Sequence, residues 1–497
     1  MTPTRCTPSL VLAASAPLLL ALACATPKVE DDLPAAATIP VTTTSEAARA
    51  AFLTGRDLQE KLRNQDSLAP LQEAVAADPD FAIAHLFLAF AQPTGQGFFD
   101  ELAKAVSLAD RASEGERLWI LGTQAGTQGD PARQRELYDQ LVAAYPDDPR
   151  AHNLLGTNLF GQQLWTEAIA TYDRATSLDP DYSPPYNQKG YAHRSLGQLD
   201  LAEVAFKKYI ELIPDDPNPY DSYAELLLRM GRYDESIETY REALSYDPNF
   251  VSSHLGIATA LAYKGEHDAA LAQATELLGM ARNDGEKRAA LFSQTVTLAD
   301  RGDLDAAVAS MEEQYAIAEA GNDAPGMAGD LGAIGTIRLE QGQPDLALAA
   351  FQKGLELMQG ADVSDEVKAN AGRGFVFNDV RVAIAKGDHA AASEKTDRYL
   401  QEALGNGNRL QTLGAHQLAG ENLLAQEQWE TANTELQQAN QQNAYNLYRM
   451  ALAEQGLGDA EAAAALCRQA VDLNPTTSLS HALVRQRAAA MAAPPAS

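Results

Sequence analysis

Apolar and small residues recur along this chain at spacings of three and four, in stretches broken by proline. In 149–182, Leu155, Gly156 and Leu159 share one face of a first helix, and Ala168, Tyr172 and Ala175 share one face of a second. Small residues at Gly156, Ala168 and Ala175 let two antiparallel helices touch, and Tyr172 fills the gap between neighbours. Each pair closes on a similar phrase, such as "ATSLDPDYSPPY", "YIELIPDDPNPY" or "ALSYDPNFVSSH". Proline lacks an amide hydrogen and clashes with the preceding turn, so each phrase ends one helix before the next begins. Pro146, Pro180, Pro214 and Pro248 follow one another at steps of 34 residues. A fixed period of this size in an all-helical pattern predicts a stacked array of helix pairs. Pro79 lies 67 residues before Pro146, about two periods, so a degenerate repeat falls between them.

The frame loosens further along but persists. Gly265 and Ala270, Gly302 and Ala307, Gly342 and Ala347, Gly387 and Ala392, and Gly458 and Ala463 mark successive turns and second helices. From Gly302 to Gly342 is 40 residues and from Gly342 to Gly387 is 45, so helices there are longer or joined by loops such as "AGNDAPGM" and "QGADVSD". The final "TTSLSHALVRQRAAAMAA" reads as a closing helix that covers the last apolar face.

The unit 149–182 resembles the tetratricopeptide repeat, with His152, Leu155-Gly156, Leu159, Ala168, Tyr172, Ala175 and Pro180 at that family's positions. The next two units repeat the match through Tyr186, Gly190, Phe206 and Pro214, then Tyr220, Ala224, Tyr240 and Pro248. Lys189 departs from the usual leucine; its stem can pack while the ammonium reaches water. The resemblance covers roughly 46–476 and implies an all-α, right-handed superhelical solenoid of eleven or twelve helix pairs. It divides into a regular array (46–285), a degenerate array of longer repeats (286–476), and a capping helix and tail (477–497).

Before the array, residues 1–23 read as a signal segment, since the apolar run is too short to span a bilayer. "LALAC" resembles the bacterial lipobox and marks Cys24 for lipidation; cleavage after Ala23 is the alternative. Residues 24–45, rich in Pro, Thr and Ala, read as a flexible tether. The expected location is the bacterial cell envelope, lipid-anchored or soluble in the periplasm. Cys467 remains as an ordinary thiol, so packing rather than a disulfide holds the domain.

A formal net charge of −30 argues against nucleic acid, which needs clustered Lys and Arg, and against docking on an anionic membrane. The membrane contact expected is a lipid on Cys24. The chain shows no close metal-ligand spacing, phosphate loop or nucleophile motif, and no cofactor is expected. His85, His152, His254 and His481 each stand six residues after a proline, a packing position rather than a ligand set. The acidic pairs in "YPDDPR" and "IPDDPN" cap helix starts.

A non-catalytic scaffold that binds a protein or extended peptide is therefore the expected function; the alternative is a structural component of an envelope assembly machine. In the family the first helix of each pair lines a concave groove. The resemblance assigns that wall to Asn153 and Thr157, then Asn187, Tyr191 and Arg194, then Asp221, Glu225 and Arg229. As surface residues of a wet groove, Tyr191 and Arg194 are expected to tolerate substitution within about 1 kcal/mol. The carboxylate clamp of chaperone-binding relatives is not reproduced.

Overall fold

The computed structural model describes residues 38–493, so the signal segment, Cys24 and the tether up to residue 37 lie outside the described residues. The described residues form 25 α-helices, numbered here in chain order, and no strand. They make twelve pairs, from α1 (Glu46–Glu60) with α2 (Asn64–Ala77) to α23 (Ala444–Leu457) with α24 (Ala460–Asp472), then a lone α25 (Leu479–Ala492). The two pairs between Pro79 and Pro146 fill the two periods counted there. The chain is an all-α solenoid of helix pairs, as the resemblance implies.

The recurring phrase has a physical purpose at both ends. Asp148 caps α7 (Pro149–Gly161) by accepting from the amides of Arg150 and Ala151, and Pro149 takes the first helical position, where its missing amide costs nothing. Six residues after four of the helix-ending prolines, a ring returns to that proline's carbonyl. His152 Nε2 donates to Pro146 O at 2.8 Å, Tyr186 Oη to Pro180 O at 3.2 Å and Tyr220 Oη to Pro214 O at 2.9 Å. His85 does the same to Pro79 O at 3.1 Å, and its Nδ1 lies 2.7 Å from Glu101 Oε2. The proline's own carbonyl lies past the helix end without a ladder partner, and the ring at the bulky position supplies one.

Two compact units emerge, with the division inside α11 (Pro217–Arg229) and α12 (Tyr233–Tyr246), ahead of residue 286 where the repeats lengthen. One runs to Leu226 and includes Thr239–Phe250; the other holds Leu227–Glu238 and the chain from Val251. In the N-terminal unit, Phe52, Phe81, Phe87 and Trp119 anchor a continuous core. The last residues of the expected tether are not free. Ile39 N donates to Asp148 Oδ2 at 2.7 Å, Thr42 N to Glu116 Oε1 at 2.9 Å, and Thr43 Oγ1 to Asp78 Oδ2 at 2.5 Å. Ile39 and Val41 also pack on the core. Carboxylates that serve the loops of three successive repeats thus bind residues 38–45 as a strap, so the tether does not extend to residue 45.

In the C-terminal unit the lengthened period is taken up by helix, not loop. α15 (Asp284–Arg301) has 18 residues, α17 (Ala324–Glu340) has 17 and α19 (Asp365–Ala385) has 21. Cys467 is buried among Ala463, Ala470 and Val484, and burial pushes its thiol up to about 11, which leaves it an inert hydrophobe. α25 does more than cap. Val484 and Ala488 pack on α23 and α24, while Leu479, Ala482 and Leu483 pack with Ala299 of α15 and Leu331 and Ile334 of α17.

Candidate peptide-binding wall

In the N-terminal unit, one stripe of first-helix residues repeats at the 34-residue step. α7 presents Asn153 and Thr157, α9 (Pro184–Ser195) presents Asn187, Tyr191 and Arg194, and α11 presents Asp221 and Glu225. Residues four apart on a helix share a face, so each helix repeats the same stripe. The structure joins α9 to α11 directly. Tyr191 Oη donates to Ser222 Oγ at 3.1 Å and Arg194 Nη1 to Glu225 Oε2 at 3.2 Å. The Arg194 guanidinium also lies 4.9 Å from the centre of the Tyr191 ring, whose edge meets Phe206 at 5.1 Å. Burial first, then the Glu225 carboxylate, pushes the Tyr191 hydroxyl well above its ordinary value, so it stays protonated and donates.

This wall is drier than the sequence implies. Asn153 and Asn187 are each 1% exposed, Glu225 4% and Asp221 5%. Tyr191 and Arg194 are network members rather than solvated surface. Tyr191→Ala removes ring packing and a hydrogen bond together, which costs about 2 kcal/mol or more, not the 1 kcal/mol expected of a wet groove. Lys189, likewise, reaches Asp173 Oδ1 at 2.5 Å.

Beneath the network stands a column the sequence reading only partly found. Asn153 makes no hydrogen bond within the protein through either amide atom, and Asn187 Oδ1 makes none. One period earlier, the buried Trp119 Nε1 on α5 (Glu114–Thr127) also has no partner. Native proteins satisfy nearly all buried polar atoms, so three unpartnered groups at one repeat position are a specific feature. Stepping back 34 residues from Asn153 was the signal that finds Trp119. Arg229, one turn beyond Glu225, lies in the C-terminal unit and donates through Nη1 to Asp472 O at 2.5 Å. Among the described residues no group of His, Cys, Asp and Glu has the arrangement to hold a metal.

Family models described as "Tetratricopeptide repeat" match residues 121–183 and 224–284, and residues 183–216 and 444–477. The wheat (Triticum aestivum) protein named Hsp70-Hsp90 organizing protein is 31% identical over 116 residues, 23% of this chain and 19% of that protein. The chain thus spans about a fifth of the curated relatives it matches. Among solved structures, a tetratricopeptide repeat protein from Parabacteroides merdae is 17% identical, covering 53% of this chain and 98% of that one, with a TM-score of 0.34. The Cut9–Hcn1 hetero-tetramer of APC/C is 13% identical over 91% of this chain and 78% of that one, with a TM-score of 0.42. The helix pairs, the residues at their contacts and the family matches agree, and the chain is a tetratricopeptide repeat protein.

Proposed function

We propose that this protein is a non-catalytic scaffold of the bacterial cell envelope that holds a protein or extended peptide along the first helices of its N-terminal unit. Tetratricopeptide repeats imply a protein-interaction scaffold; the single observation that carries the choice of wall is the column Trp119, Asn153 and Asn187 with its unpartnered polar atoms. An amide side chain offers one donor and one acceptor side, the complement of a peptide group, and a repeat every 34 residues presents the same pair again along a ligand main chain. Because these atoms are buried, a ligand reaches them where neighbouring first helices part. Tyr191, Arg194, Asp221, Glu225 and Thr157 then meet its side chains.

Export and lipidation at Cys24 belong to the same reading, supported by the apolar run and "LALAC". Replacing Cys24 by Ser should move the protein from the membrane to the soluble envelope fraction. A second reading, a structural part of an envelope assembly, draws on the outer apolar residues Leu201 and Val204 of α10 (Leu199–Leu212), the latter 66% exposed.

The test is affinity capture from envelope extract by the full chain and by its Asn153→Leu/Asn187→Leu variant, which keeps the branching and heavy-atom count of the side chain. A partner retained by the first and lost by the second supports the wall. Equal retention, with loss on Val204→Glu instead, supports the outer face.

A further inference from the structure

The inner side of the C-terminal unit is already occupied by the chain's own end. The non-helical segment after α24 is read through its backbone. Arg229 donates to Asp472 O, Tyr263 Oη on α13 (Val251–Tyr263) donates to Pro475 O, and Thr477 N donates to Thr259 Oγ1 at 3.1 Å. Tyr233 Oη adds a 3.1 Å bond to the Asn474 side chain. The helix that follows is read through charge. Arg485 forms a bidentate pair with the buried Asp300 of α15, both contacts at 2.6 Å, and donates to Ala262 O at 3.2 Å. Arg487 reaches Glu340 of α17 at 2.8 Å. Leu479, Ala482 and Leu483 supply the apolar contact.

We infer that the first helices α13, α15 and α17 form a helix-binding groove whose resident ligand is the chain's own segment 472–492. The partner this groove fits in trans is an amphipathic helix bearing an arginine for Asp300 and preceded by a proline-containing turn.

Two features favour exchange over permanent closure, and a third defines what could replace the resident helix. The buried Arg485–Asp300 pair adds little net stability over apolar packing but penalises any helix without a matching cation, so it sets specificity. Asn474 and Thr477 are held at φ of +36° and +47°, and a β-branched residue there is strained, so release relaxes the connection. The wall is acidic where the helix is basic, which defines the chemistry of a competitor. Opposing release, the tether gives the resident helix an effective concentration in the millimolar range, so a weak competitor is excluded. This site shares no residue with the column at Asn153, and its test uses a different probe.

A labelled synthetic peptide of residues 472–492 is titrated into the full chain and into the full-length Leu483→Asp/Arg485→Glu variant, in which the wall residues are untouched. The expected result is binding at least tenfold tighter to the variant, abolished when Asp300→Asn is added. A variant with wild-type helicity that binds no better than wild type overturns the proposal. Hydrogen exchange of the wild-type chain decides if the variant does not fold. α25 amides exchanging ahead of those in α23 and α24 support a displaceable ligand; exchange of all three together contradicts it.

Discussion

Gly156 lies beneath the ring of Tyr172, so close that a Cβ on the glycine would sit 2.4 Å from Cε1 of the tyrosine. The same meeting recurs at Gly122 with Tyr138, Gly190 with Phe206 and Gly335 with Phe351. The two helices of a pair approach as far as the missing side chain allows, and the aromatic ring seals the gap. Ala224 holds the equivalent position in a later repeat and is fully buried, as is Tyr240, so the repeat tolerates a methyl there. Gly156→Ala is therefore expected to cost about 1 kcal/mol and Gly156→Val about 3 kcal/mol, the range of overpacking. Urea unfolding followed by circular dichroism checks both; equal stability of the Val variant contradicts the contact.

Asn153→Leu should stabilise the protein. Its amide makes no internal hydrogen bond, so an apolar side chain with the same branching and heavy-atom count removes a desolvation penalty of about 1–2 kcal/mol. A higher Tm with weaker partner capture is the expected combination, the usual trade between stability and a binding site. A lower Tm would mean that the amide is satisfied.

Asp148 serves two clients. Its Oδ1 accepts from Arg150 N at 2.7 Å and its Oδ2 from Ile39 N at 2.7 Å. Asp148→Ala should cost about 1–2 kcal/mol through the lost cap. It should also speed hydrogen exchange at Ile39 and Thr42, because the strap loses the first of its three anchors. Unchanged exchange there would show that packing of Ile39 and Val41 suffices.

Acid should loosen α25. Burial, then the neighbouring Arg485, lowers the His481 imidazole to about 4. Around it stand Tyr263 of α13, whose hydroxyl lies 2.9 Å from Nδ1, and Asp300 of α15, which His267 also contacts at 2.8 Å. Burial alone would raise the Asp300 carboxyl, but Arg485 together with His267 outweighs it and holds the group below its ordinary range. For His481 the folded value lies under the unfolded one, so the stability is present at pH 7 and drains away as pH falls from about 6.5 to about 4. The loss is on the order of 3 kcal/mol. His481→Asn should flatten the fall in Tm over that window, and identical pH profiles for the two proteins would refute the assignment.

Pairing and period were legible because their signals are local. A proline, a ring six residues on and a glycine opposite an aromatic all fall within one repeat. The dryness of the wall was not, because the burial of Asn153 and Asn187 depends on how closely successive first helices approach. The strap at Ile39–Thr43 reads as a tether by composition, since its partners are capping carboxylates up to 109 residues away. The clasp of Arg485 on Asp300 joins residues 185 apart, and neither residue alone announces the other.

The central claim is that a partner lies along the first helices of the N-terminal unit. Hydrogen exchange of the full chain, with and without the captured partner at saturation, tests it most directly. The account predicts slowed exchange in 153–157, 187–194 and 221–225, with the second helices α8 (Trp165–Leu178) and α10 unchanged. Protection confined to α8 and α10 would contradict it.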